Sequence, residues 1–320
     1  MEGARRKTGV TVPRQVIAGL TWLLTRRCTQ RQHLLVPDEK VTAVYEYCLA
    51  EAAELFGITI HGWDALSNHH HLVIRDNHGN FPDFLARMHK MIAKALNCRW
   101  GRWENFWAAE QPSAVLLVEA ADRFDKLVYV LANPVAADLV DRVSDWPGAC
   151  SLSQHLSGRT KVVDRPRAFF RKGGKMPEQV TLRVERLDGF EHLSEGEWRE
   201  KLAAAVTERE VNARKLRMEK NVRVLGRKAV LRTKHTDQPR TNERRRGLRP
   251  HLACRNRERR IHELAAIDAF RAAHRDARLR WSAGDRAVLF PFGTFRMLAF
   301  GVLCAPSPAQ AQTAPPLRLG

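Results

Sequence analysis

Hydrophobic and polar positions follow clear periods through the first half of the chain. Residues 16–26 (VIAGLTWLLTR) form an apolar, β-rich run that predicts a first strand. From 38 to 56 (DEKVTAVYEYCLAEAAELF), alanine, leucine and valine recur at helical spacing, with Pro37 and Asp38 opening the segment and Gly57 closing it. ITIHGWDAL (58–66) and HHLVIRD (70–76) read as two strands around a turn near Ser67 and Asn68. Residues 81–99 form a second amphipathic helix that tolerates Pro82 in its first turn. SAVLLVE (113–119) is a fourth strand, and ADRFDKLVYVLAN (121–133) a further helix ended by Pro134. The order β-α-β-β-α-β-α predicts an α+β fold of the split-βαβ kind, ferredoxin-like or RRM-like, with an antiparallel sheet and helices packed on one side.

The second half has weaker periodicity. A Gly-, Arg- and Lys-rich stretch reads as a linker, and 195–220 as one long, charge-laced helix. Residues 261–280 read as helical and 287–298 (AVLFPFGTFRML) as a strand pair or strand-turn. The tail, with APSPAQAQTAPP, is low-complexity and expected to be disordered. The expected organisation is a first domain over 1–150, a linker over 151–176, a basic and mostly helical extension over 177–304, and a tail over 305–320.

Composition narrows the class. A chain of 320 residues, 44% hydrophobic and 28% charged, has enough apolar content for a core and is neither wholly disordered nor a fibrous rod. No run approaches the ~20 apolar residues of a membrane span, and the basic N-terminus lacks the apolar stretch of a secretory signal. Six scattered cysteines without a C-x-x-C pair read as reduced thiols in the cytoplasm. The net charge of +19 changes the picture most: residues 1–150 are balanced, so the entire excess lies in 151–320. Such asymmetry points to a polyanion, nucleic acid before anionic membrane, with a merely solvated basic tail as the alternative.

Candidate chemistry concentrates at two places. In Asn68-His69-His70-His71, strand alternation puts His69 and His71 on one face and His70 on the other. Two imidazoles so placed can chelate one divalent metal if a third ligand arrives from elsewhere; a polar strand face with incidental histidines is the competing reading. Tyr129 lies four residues before Asn133, so phenol and carboxamide share a helix face next to Pro134. A tyrosine can attack a phosphodiester without a cofactor of its own if a metal polarises the phosphoryl group; a buried aromatic with a helix-ending Asn-Pro is the alternative.

Together, S-N-H-H-H-L-V-I (67–74), Y-V-L-A-N-P-V (129–135) and D-W-P-G (145–148) resemble the HUH single-strand nucleases, more narrowly the one-tyrosine and REP-associated tyrosine transposases, over about 12–150. The resemblance implies an enzyme: a metal-dependent, single-stranded DNA transposase and endonuclease acting through a 5′-phosphotyrosine. It implies Tyr129 as nucleophile, His69, His71 and Asn133 as ligands of Mg²⁺ or Mn²⁺, single-stranded or hairpin DNA as partner, no membrane, and assembly as a homodimer in keeping with such transposases. His70 stands where the family usually has a bulky apolar residue. Other readings are a domesticated, non-catalytic nucleic-acid-binding protein or a replication or conjugation nickase. No G-x-x-x-x-G-K-[ST] loop is present, as expected for a reaction that keeps its bond energy in a covalent intermediate. Candidate DNA contacts are Arg26 and Arg27 after the first strand, Arg87, Lys90 and Lys94 on the second helix, and Arg244, Arg245, Arg246 and Arg249 in the arginine-dense run of the basic half. Trp100, Trp103, Phe106 and Trp107 are either base-stacking platforms or core.

Overall fold

Strand β1 (Leu20–Arg27) leads into helix α1 (Glu39–Phe56), which starts where Asp38 accepts a hydrogen bond from the Val41 amide (2.8 Å). The helix stops at Gly57, whose φ of 63° is the left-handed turn that glycine adopts at little cost. β2 (Ile58–Leu66) and β3 (His69–Asp76) form a hairpin across Ser67 and Asn68, followed by α2 (Phe81–Arg99), β4 (Ser113–Leu117) and α3 (Ala120–Leu131). A single turn, α4 (Asn133–Ala136), carries the chain through Pro134. The computed structural model describes residues 12–171, 173–239 and 250–307.

These elements belong to one of two units, Gly19–Arg255. Its sheet runs β2-β3-β1-β4-β7, where β7 (Leu252–Ala253) adds a parallel edge to β4 and every other pairing is antiparallel. The first four strands have the order of a split-βαβ fold, so the α+β expectation holds. α1 and α2 pack together on one face, with the Trp22 and Phe81 rings 5.0 Å apart. α3 packs on the opposite face, where Leu127, Val128 and Leu131 share a core with Leu23, Leu66 and Val73.

The chain after residue 150 adds to both faces. α5 (Leu152–Ser157) precedes a hairpin, β5 (Lys161–Asp164) with β6 (Gln179–Leu182), that packs on α1. α6 (Glu195–Lys220) then lays Trp198, Leu202 and Val206 into the α3 core, and α7 (Arg227–Leu231) adds Val230. Between β2 and α3 the approach is close, since a Cβ on Gly62 would run into the Leu127 side chain. The other unit joins the segment up to Ala18 with Asn256 onward. In it α8 (Arg257–Ser282) begins earlier than its apolar spacing suggested, because Asn256 caps the Arg259 amide (3.1 Å). Short parallel strands β8 (Leu289–Phe290) and β9 (Leu303–Cys304) flank a core of Ala277, Val288, Phe290 and Val302. Among the described residues no helix is long and apolar enough to cross a membrane.

Histidines buried in the first of these units make its stability pH-dependent. His155 donates Nε2–H to the His61 carbonyl (2.8 Å), and burial pushes its pKa down to about 4. Burial and Arg26 push His89 down to about 3. A depressed histidine contributes stability that is complete above its unfolded value of ~6.5 and is lost as pH falls towards the folded value. Thermal melts should therefore show stability falling from pH 6.5 towards 4, by about 1–3 kcal/mol per histidine, with a shallower slope in His155→Gln. A flat profile over that range would contradict this burial.

Candidate active site

The β2–β3 turn fixes His69. Asn68 donates to the Arg31 carbonyl (3.3 Å), which leaves its Oδ1 to accept from His69 Nδ1 (2.6 Å). That contact places the proton on Nδ1 and leaves the Nε2 lone pair for a ligand. Two residues on, His71 Nδ1 meets the Thr25 hydroxyl of β1 (2.7 Å). The two rings stand edge to face with centroids 4.9 Å apart. Burial is the main cause that lowers both pKa values: His69, further lowered by Arg27 and Arg31, falls to about 4, and His71 lies well below its usual range. Both imidazoles are therefore neutral at physiological pH, the form that coordinates metal.

Tyr129 reaches this pair from α3. Its ring lies 5.6 Å from that of His71, is 38% exposed, and has the Lys126 ammonium 5.8 Å from its centroid. Burial and the nearby Asp64 raise its pKa above the ordinary phenol value. One turn later Asn133 is buried on the same side. The structure thus brings His69, His71, Tyr129 and Asn133 to one face of the sheet.

Asp64 joins them and was not foreseen from the sequence. It sits on β2 directly across from His71, and its side chain is fully buried. Burial raises its pKa well above the carboxylate range, while the facing Asn133 carboxamide favours its charged form. That carboxamide does not reach hydrogen-bond geometry: both Asp64 oxygens and Asn133 Nδ2 lack a hydrogen-bond partner.

His70, on the other face, serves the core. Its Nε2 is 2.9 Å from His89 Nε2, its Nδ1 is 3.2 Å from the Tyr45 hydroxyl, and Trp107 flanks both histidine rings. A polar residue in this usually apolar position is accommodated because each ring nitrogen finds a partner.

The expected DNA contacts separate by face. Arg27, paired with Glu110 (3.3 Å), lies across from His69 on the site's face. Arg26 opposes His70 and donates to the Ala108 carbonyl (3.0 Å) on the reverse face. Arg87, Lys90 and Lys94 lie on α2, also on the reverse side; Arg87 is tied to Glu51 of α1, whereas Lys90 and Lys94 are exposed. Arg244, Arg245, Arg246 and Arg249 lie outside the described residues. Of the aromatic residues, Phe106 and Trp107 are core, Trp100 stacks on His235 with centroids 4.4 Å apart, and Trp103 is 88% exposed.

Glu119, Asp122 and Cys254 form another potential ligand trio, with donor atoms within 4.8 Å of one another; those of His69, His71 and Asp64 are not all so close. Asp122 is already engaged there, accepting from the Glu119 and Arg255 amides.

No protein-family profile and no curated protein matches this chain. Among solved structures it is similar to a REP-associated tyrosine transposase bound to a REP hairpin, with 18% identity and a TM-score of 0.40 over 56% of this chain and 99% of that one. It is also similar to a candidate transposase of Deinococcus radiodurans R1, with 16% identity and a TM-score of 0.27 over 38% of this chain and 95% of that one.

Proposed function

We propose that this protein is a metal-dependent transposase that cleaves and rejoins single-stranded or hairpin DNA through Tyr129. The observation that carries this reading is the Tyr129 phenol set against the His71–His69 pair, with rings 5.6 Å and 4.9 Å apart in sequence. The fit to a divalent cation rests on the donors themselves: two neutral imidazoles and a fully buried carboxylate without a hydrogen-bond partner. When bound, Mg²⁺ or Mn²⁺ supplies positive charge that polarises the scissile phosphate and stabilises the charge developing on it.

The chain's own groups do the rest. Tyr129 Oη attacks phosphorus, the bond to the 3′-oxygen breaks, and a 5′-phosphotyrosine and a free 3′-hydroxyl result. The phenol loses its proton as the departing 3′-oxygen gains one. A second 3′-hydroxyl then attacks the phosphotyrosine, reseals the strand and returns the phenol. Because Tyr129 is protonated at neutral pH, the positive charge of Lys126 near its ring favours the phenolate as it forms. Arg27, across from His69, neutralises a flanking phosphate in this reading.

Cleavage of labelled single strands carrying hairpins from the DNA beside the gene, with Mn²⁺, tests this reading. His69→Ala and His71→Ala should each lower metal-dependent cleavage by ~100-fold or more, the scale of a lost metal contribution of several kcal/mol. Wild-type rates in both variants would remove the histidine pair from the reaction.

A further inference from the structure

We propose that Asp64, rather than Asn133, supplies the third protein ligand of the cation at His69 and His71. This inference rests on the metal-dependent reading above. The cross-strand row Thr25–His71–Asp64 sets three side chains on one face of β1, β3 and β2. Thr25 already engages His71, whereas Asp64 meets no hydrogen-bond donor at either oxygen. A buried carboxylate without a partner is strongly disfavoured unless a cation or donors complete it. Lys126, beside the Tyr129 ring, is paired with Asp125 (3.2 Å), and Arg27 with Glu110. A divalent ion is the species that accepts two imidazoles and one carboxylate together.

Donor chemistry divides the two candidates for the third position. Carboxylate oxygen is a charged, hard ligand suited to Mg²⁺ and Mn²⁺, and a neutral amide oxygen a weaker one.

The test is Mn²⁺ binding to the full chain without DNA, by calorimetry and by the electron paramagnetic resonance of the free ion. Asp64→Asn, nearly isosteric, should weaken binding about tenfold or more, and Asn133→Ala, outside the ligand set and its hydrogen bonds, by less than about threefold. Removing an unpartnered buried carboxyl group should also leave the metal-free Asp64→Asn protein at least as heat-stable as the parent, which separates ligand loss from unfolding. Asp64→Ser carries the same binding expectation if Asp64→Asn does not fold. Normal Mn²⁺ binding by the Asp64 variants, with binding lost in His71→Ala, overturns the Asp64 assignment and leaves the histidine pair standing. A larger loss in Asn133→Ala than in Asp64→Asn returns the third position to Asn133. Equal binding by wild type, His71→Ala and Asp64→Asn overturns the metal reading itself.

Discussion

Tyr129→Phe is expected to abolish covalent attachment of the protein to DNA while leaving DNA affinity within about twofold of wild type. The substitution removes one oxygen from a side chain that is 38% exposed and held mainly through its ring against His71. Phenylalanine keeps the ring packing against His71. Binding, which draws on phosphate neutralisation across a surface, does not need the hydroxyl, whereas the ester bond cannot form without it. Attachment by the variant at the wild-type level, read on a denaturing gel, would exclude Tyr129 as nucleophile.

The second large effect concerns stability. Trp198→Ala should cost ~3–5 kcal/mol, the range for emptying a large aromatic site in a core, and lower the midpoint of thermal unfolding by about 10 °C. Trp198 of α6 is 3% exposed and packs against Phe124 and Phe190, with ring centroids 5.8 Å and 5.4 Å away. It thereby holds the back of α3, whose other side carries Tyr129. Arg217 reinforces the same junction, bonding Asp141 (2.6 Å) and the Val135 carbonyl (3.3 Å) just beyond Asn133. A chain ended at residue 150 would uncover Phe124 of α3, on which Trp198 packs, so it should fail to fold. An unchanged melting midpoint in Trp198→Ala would contradict this role for α6.

Much of this was readable before any coordinates. The period-two pattern around His69, His70 and His71 separates the site face from the core face, and the structure follows it. Gly57 and Asp38 mark the ends of α1 because they solve local problems, a left-handed turn and an unpaired amide. What was not legible depends on which segments meet. Asp64 is a charged residue in an apolar strand, and only the β2–β3 register shows that it opposes His71. The pairing of β7 with β4 and the packing of α6 on α3 join residues more than sixty positions apart, beyond any local pattern. Net charge does not tell which basic residues are paired within the fold: Arg209 pairs with Asp125 (2.8 Å), and Arg214 with Asp141 (2.9 Å), so some basic residues of the second half hold the fold together.

The central claim is that Tyr129 forms the bond to DNA with help from a cation at the histidine pair. The most direct measurement incubates the wild-type protein with labelled hairpin-bearing single strands, with and without Mn²⁺, then digests any adduct and maps the DNA-linked residue by mass spectrometry. The account predicts an adduct that requires Mn²⁺ and maps to Tyr129. An adduct at another residue, or none despite tight DNA binding, would contradict it.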